Sequence, residues 1–127
     1  MPASVNWDNE ERTIIHQKLI GDWTFEDYTR SAAETQELTA SMSHTVHVIV
    51  DFTESTGYPT RLLAAGQALD RNFPPNQGSV FVVKCPPYVQ AVFDIVVKLY
   101  PKVGQSAYYV ETVEEAYKII RQNESAE

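Results

Sequence analysis

The sequence predicts one α/β domain on a five-stranded mixed sheet, in the order ββαβαβαβα with four helices. Three observations predict it. Strand-like and helix-like blocks alternate along most of the chain, the pattern of a largely parallel layer. The run from Thr45 to Phe52, TVHVIVDF, is almost continuously apolar and β-branched, as in a strand covered on both faces. Two β-prone runs near the N-terminus are separated by polar turn residues, which marks a hairpin.

Taken in order, Ser4 to Trp7 and Thr13 to Ile20 are the hairpin strands, with Asp8-Asn9-Glu10-Glu11 as the turn and Gly21 as the stop. Thr24 caps a first helix, and Glu26 and Asp27 suit its positive end. Asp27 stands where a capping box prefers Glu or Gln. Phe25, Tyr28, Ala32 and Leu38 form that helix's apolar stripe. The strand Thr45–Phe52 follows, then a helix from Thr60 to Phe73 with Leu62, Ala65, Leu69 and Phe73 on one face. Pro74-Pro75-Asn76 stops it. Ser79 to Val83 is a buried-type strand, and Tyr88 to Tyr100 a helix with Val89, Val92, Phe93, Val96 and Tyr100 turned inward. Its polar face includes Asp94 and Lys98, spaced as a solvated ion pair. Ala107 to Val110 is the last strand. Thr112-Val113-Glu114-Glu115 is a full capping box for the last helix. The domain spans residues 1–121, and 122–127 are expected to form a loose tail.

The chain's 127 residues suffice for one ordinary core. Its net charge of −7, without a basic cluster, disfavours nucleic acid and anionic membranes as partners. No apolar run approaches the roughly 20 residues that span a bilayer. The start, MPASVNWDNEER, lacks the basic and apolar stretches of a signal peptide. A single cysteine, Cys85, rules out an internal disulfide and suits a cytoplasmic setting.

Ligands of an open parallel sheet gather at the carboxyl ends of its strands. Three connections lie there: Asp51 to Thr60, Lys84 to Pro87, and Glu111 to Thr112. Asp51 either orients a ligand or accepts backbone N–H bonds in the next turn. Ser55 and Thr56 either meet a phosphate before a helix or make turn bonds, with Gly57 at a positive φ. Cys85, beside Lys84, is either a reactive thiolate or a small core residue. His44 and His47 point to opposite faces of a strand, and these and His16 are structural or surface residues. No metal-ligand cluster, phosphate loop, dinucleotide fingerprint or nucleophile elbow is present in the sequence. No cofactor or metal is expected.

From Val5 to about Arg121 the chain resembles the STAS-domain family, in its SpoIIAA-like branch related to anti-sigma factor antagonists. The resemblance rests on the element order, on GDWTFEDY at the first helix, on VIVDF ending the central strand, and on FDIVVKLYP followed by YYVETVEEAYKII. It implies a small sheet with helices mainly on one side. In the antagonists a serine after the central strand, in an Asp-Ser-Ser-Gly or Asp-Ser-Thr-Gly context, is phosphorylated by a partner kinase. Glu54-Ser55-Thr56-Gly57 is similar, which makes Ser55 the implied phosphoacceptor. Glu54 replaces the usual Asp, the connection from Asp51 is shorter, and Tyr58-Pro59 intervene before the helix.

The expected function is therefore a non-enzymatic regulatory or interaction domain. Its surface would comprise Asp51, Glu54, Ser55, Thr56, Gly57 and Tyr58. The expected partner is a protein, such as a regulatory kinase or an anti-sigma-like factor. The hairpin edge also offers pairing with a second copy of the chain as a homodimer. The alternative is a small lipophilic-ligand domain of STAS or Sec14-like type, holding an apolar or acyl molecule among Phe52, Leu62, Phe73, Phe93 and Tyr100. Thiol chemistry at Cys85 is the weakest option.

Overall fold

A computed structural model describes residues 2–59, 61–104 and 107–125. Five strands form one sheet: β1 Ala3–Trp7, β2 Ile14–Leu19, β3 Val46–Asp51, β4 Gln77–Val83 and β5 Ala107–Val110. Their order in the sheet follows their order in the chain. β1 and β2 pair antiparallel, while β2, β3, β4 and β5 are parallel. The hairpin and the parallel centre are those expected from the sequence.

The helices are α1 Phe25–Ala40, α2 Ala65–Arg71, α3 Pro87–Leu99, α4 Pro101–Gly104 and α5 Val113–Ser125. There are five, not four, because Pro101 ends α3 and starts a separate single turn. The helix expected over Thr60–Phe73 is shorter and begins as a 3-10 turn at Leu62–Ala64, and Thr60 lies outside the described residues. Gln122 to Ser125, expected in the tail, continue α5, since no proline or glycine stops it.

Right-handed crossovers between parallel strands laid down in one direction put their helices on one face. Here α1, α2 and α3 cover one side, and α5 packs against the other. Strand alternation supplies both cores. On β3, Val46, Val48 and Val50 face the three helices, and Ile49 and Asp51 face α5. Ile49 and Phe81 have no exposure, and each such side chain contributes about 1.5–3 kcal/mol on burial.

The α1 cap is a full box, whereas at α5 only the Thr112 half forms, because the Glu115 carboxylate accepts from Glu111 N–H and not from Thr112 N–H. Thr24 N–H donates to Asp27 Oδ2 at 2.9 Å, and Asp27 N–H donates to Thr24 Oγ1 at 3.1 Å. Asp27 thus completes the box despite being shorter than Glu. Glu115 N–H likewise donates to Thr112 Oγ1.

The buried face of α1 differs from its expected stripe. Ser31, Ala32, Thr35 and Thr39 are buried there, while Leu38 is half-buried. Thr35 and Thr39 donate their hydroxyls to the carbonyls of Ser31 and Thr35, both at 2.8 Å, so the polar atoms are satisfied within the helix. Gln17 on β2 reaches across and donates to Ser31 Oγ at 2.8 Å. At the far end Asn76 donates its amide to the carbonyls of Thr39, Met42 and His44, tying the entrances of β3 and β4 together.

Candidate functional site

The carboxyl ends of β2 and β3 continue into two loops that lie side by side. One runs from Ile20 to Thr24, the other from Phe52 to Arg61. Strand pairing breaks after Lys18 and Asp51 and resumes at Gly21 and Ser55, with one more residue passed over on the β3 side. Gly21 N–H donates to Glu54 O at 2.8 Å, and Thr56 N–H donates to Gly21 O at 2.9 Å.

Two glycines lie at this approach. Gly21 has φ +63, a conformation that side chains disfavour. Gly57 does not have the positive φ expected from the sequence. A Cβ there would stand 2.5 Å from Asp22 Oδ1, the tip of an exposed side chain, and 3.7 Å from the Asp22 backbone, so the loops run close together at this point.

Ser55 is half-buried, and its hydroxyl is engaged twice. It accepts from Trp23 Nε1–H at 2.7 Å and donates to Gly57 O at 2.9 Å. Ser55 does not open a helix: six residues separate it from the 3-10 turn at Leu62. Glu54 and Thr56 are exposed, and Tyr58 is 47% exposed. The Tyr58 ring stacks on Tyr88 at 4.7 Å between centroids, joining the loop to the start of α3. A shallow groove runs beside it between Asp22–Glu26 and Tyr58, Pro59 and Arg61, and Arg61 lies 4.9 Å over the Phe25 ring.

Asp51 is set apart from this surface. Only 7% exposed, it faces α5 rather than the groove. Its Oδ1 accepts from Thr53 N–H at 2.9 Å, the turn bond that the sequence gives as one of its two roles. Its Oδ2 accepts from His16 Nε2 at 2.8 Å. His16 Nδ1 lies 3.4 Å from Asp8 Oδ1, and the Tyr117 hydroxyl donates to Asp8 Oδ2. The chain from Asp51 to Tyr117 joins β3 to β2, the hairpin turn and α5, all distant from Asp51 in sequence. The only sequence signal for it is alternation, which puts His16 and Asp51 on one face of neighbouring strands. Burial pushes the Asp51 carboxyl up, but the bonds from Thr53 and His16 outweigh it and hold the carboxyl below its usual range.

On the other face, α1, α2 and α3 leave an apolar cavity of about 120 Å3 against the sheet. Its wall includes Trp23, Tyr28, Phe52, Leu62, Phe73 and Phe93. Four of the five residues expected to hold an apolar ligand are therefore present. Tyr100 does not line the space and instead packs its ring against Gly66. Cys85 lines the same cavity, and burial, followed by the nearby Asp94 charge, pushes its thiol up to about 12. That disfavours the thiolate on which thiol chemistry depends. Among the described residues no metal-ligand group of His, Cys, Asp and Glu is found. No helix is long and apolar enough to cross a membrane.

No family model matches the sequence, and no curated protein matches it. Solved structures do match in fold. The unphosphorylated anti-sigma factor antagonist SpoIIAA aligns at a TM-score of 0.66 and 14% identity, covering 94% of this chain and 97% of its own. The phosphorylated Bacillus cell-fate determinant SpoIIAA aligns at 0.63 and 13%, covering 93% and 98%. An uncharacterised Shewanella loihica protein described as having a SpoIIAA-like fold aligns at 0.61 and 14%, covering 91% of both. The chain has a SpoIIAA-like fold.

Two outcomes follow from the site's electrostatics. A carboxyl held below its unfolded value near ~3.9 adds stability above that pH and loses it as pH falls toward the folded value. Asp51→Asn is expected to cost about 1–3 kcal/mol at pH 6, with the gap to wild type narrowing as pH falls below about 4. Urea unfolding at stepped pH measures this, and a gap constant with pH would refute it. Separately, Cys85 is expected to react with iodoacetamide at pH 7.5 at least about tenfold more slowly than glutathione. An equal or faster rate would contradict the raised thiol.

Proposed function

We propose that the chain is a non-enzymatic regulatory domain that binds a partner protein through the surface around Ser55. The observation that carries this is the doubly tied Ser55 in the loop after the central parallel strand, in a fold shared with an anti-sigma factor antagonist solved in unphosphorylated and phosphorylated forms. The exposed contact groups are Glu54, Thr56 and Tyr58, with the groove toward Arg61 beside them. Asp51 anchors this surface from behind. The partner is a regulatory kinase or an anti-sigma-like factor, and the setting is cytoplasmic.

Phosphorylation of Ser55 would act as the switch. A kinase would transfer a phosphoryl group from a nucleoside triphosphate: the Oγ–H bond breaks, an Oγ–P bond forms, and the nucleoside diphosphate leaves. The hydroxyl could then no longer donate to Gly57 O. About two negative charges would stand in a loop that also carries Glu54 and contacts Asp22. Repulsion and lost hydrogen bonding both favour opening of the loop.

A second function is favoured by the apolar cavity: the domain holds a small lipophilic molecule between the sheet and its three covering helices. The space is partly open and lined mainly by apolar side chains, so an apolar occupant would gain dispersion contacts along its wall.

Each function has its own measurement. Tagged wild type, Ser55→Asp and Tyr58→Ala proteins, all folded by circular dichroism, are passed through native lysate. The wild type is expected to retain a defined protein that both variants lose by at least about fivefold. No retained protein, or equal retention by all three, would end the interaction proposal. For the cavity, native mass spectrometry of gently purified protein is expected to show an apolar adduct that disappears on denaturation. A clean unliganded mass, with no thermal shift from a panel of apolar compounds, would remove the second function.

A further inference from the structure

The cavity wall and the Ser55 loop share one side chain. Trp23 is 1% exposed and lines the cavity, with its ring 5.8 Å from Phe52 and 6.1 Å from Tyr28 between centroids. Its Nε1–H leaves the apolar wall and donates to Ser55 Oγ at 2.7 Å. The indole is therefore fixed on one side by packing inside the cavity and on the other by the loop.

The cavity also limits what it can hold. A volume of about 120 Å3 compares with the ~150 Å3 of an engineered apolar cavity that takes benzene. The volume within the wall is that of about one ring, and the pocket is partly open to solvent. The wall is rich in aromatic and aliphatic groups, and three of its polar side chains are engaged elsewhere. Gln17 donates to Ser31 Oγ, Gln36 donates to Leu69 O, and Thr35 donates to Ser31 O. A charged ligand group would find little to replace its hydration there.

We infer that the cavity takes a neutral single-ring apolar molecule, and that Trp23 couples its presence to the Ser55 loop, so that ligand binding and loss of the Ser55 hydroxyl oppose each other. The inference rests on the cavity being a ligand site. An occupant that packs against the cavity side of the indole restricts the ring and holds Nε1 in line with Ser55. The Ser55 hydroxyl in turn holds Gly57 O, while the Gly21–Glu54 and Thr56–Gly21 bonds carry the same constraint along the loop. Coupling of this kind is reciprocal: what the ligand does for the loop, the loop does for the ligand.

Toluene is the probe and dodecanoate the acyl comparison. Thermal shift reports binding of each, and amide exchange at Gly21, Ser55 and Thr56 reports on the loop. Toluene is expected to raise the melting temperature and to slow exchange at those amides by about three- to tenfold, the scale one neutral hydrogen bond can transmit. Dodecanoate is expected to do neither. Ser55→Ala is expected to weaken toluene binding by a similar factor, and Ser55→Thr, which keeps an acceptor oxygen, to restore it. In a Trp7→Phe background Trp23 is the sole indole, and its emission should change with toluene. Toluene binding with unchanged loop exchange and unchanged Ser55→Ala affinity would overturn the coupling while leaving the cavity a ligand site. Binding of dodecanoate and not toluene would overturn the single-ring class. Binding of neither would overturn the inference together with the ligand function beneath it.

Discussion

The parallel pairing of β3 with β2 on one side and β4 on the other governs what the rest of the chain is able to do. Because sheet order equals chain order, each crossover steps the same way, and right-handedness sends α1, α2 and α3 to one face. Three helices must then cover the face between β2 and β4, where small and β-branched residues predominate. Their fit is incomplete, and the residual space is the cavity. The opposite face receives α5 alone and closes around Ile49, Phe81 and Val110. Cavity and dense core are two consequences of one topology, separated by the thickness of a single strand.

The same pairing builds the loop. Parallel strands end together, so the chain leaving β2 and the chain leaving β3 emerge side by side. Gly21 allows the first to turn, and at Gly57 the second comes within touching distance of Asp22. Cys85 leaves β4 at the same edge, yet its side chain turns to the apolar cavity, where the charged form is disfavoured. Position at the carboxyl end of a strand therefore does not itself make a reactive group; the direction of the side chain decides.

Much of this was legible in the sequence. Period-two alternation, the polar hairpin turn, Thr24, Thr112 and the prolines at 74, 75 and 101 gave the element order, because each acts over a few neighbouring residues. The loop's position was legible for the same reason. The face of α1 was misread because Ser31, Thr35 and Thr39 look polar in a list of residues, but a hydroxyl bonded to its own helix packs as a small apolar group. The fifth helix was missed because a proline was taken only as a stop. The Asp51–His16–Asp8–Tyr117 chain and the Trp23–Ser55 bond were not legible, since each joins residues far apart in sequence and leaves no local spacing to detect. Gly57 was assigned a positive φ that it does not have, and its closeness to Asp22 is a distance only the folded chain reveals.

The two anchors of the β3–α2 loop differ in a way that suits the proposed switch to Ser55 and not to Asp51. Asp51 ties the root of the loop to the α5 face through a carboxylate with partners on β2 and in its own turn. Bonds to an ionised group contribute about 1.5–3 kcal/mol each, and the surrounding burial makes their loss a cost to the whole fold. Ser55, four residues on, ties the tip to the opposite face through neutral bonds, each contributing about 0.5–1.5 kcal/mol. A change at the tip can thus open the distal half of the loop while its root stays paired and the sheet intact. Segments that open independently of the global fold are the ones available for binding and regulation. Asp51 lies outside that segment and sets its boundary. Ser55 lies inside it, on the one bond that links the exposed surface to the buried indole.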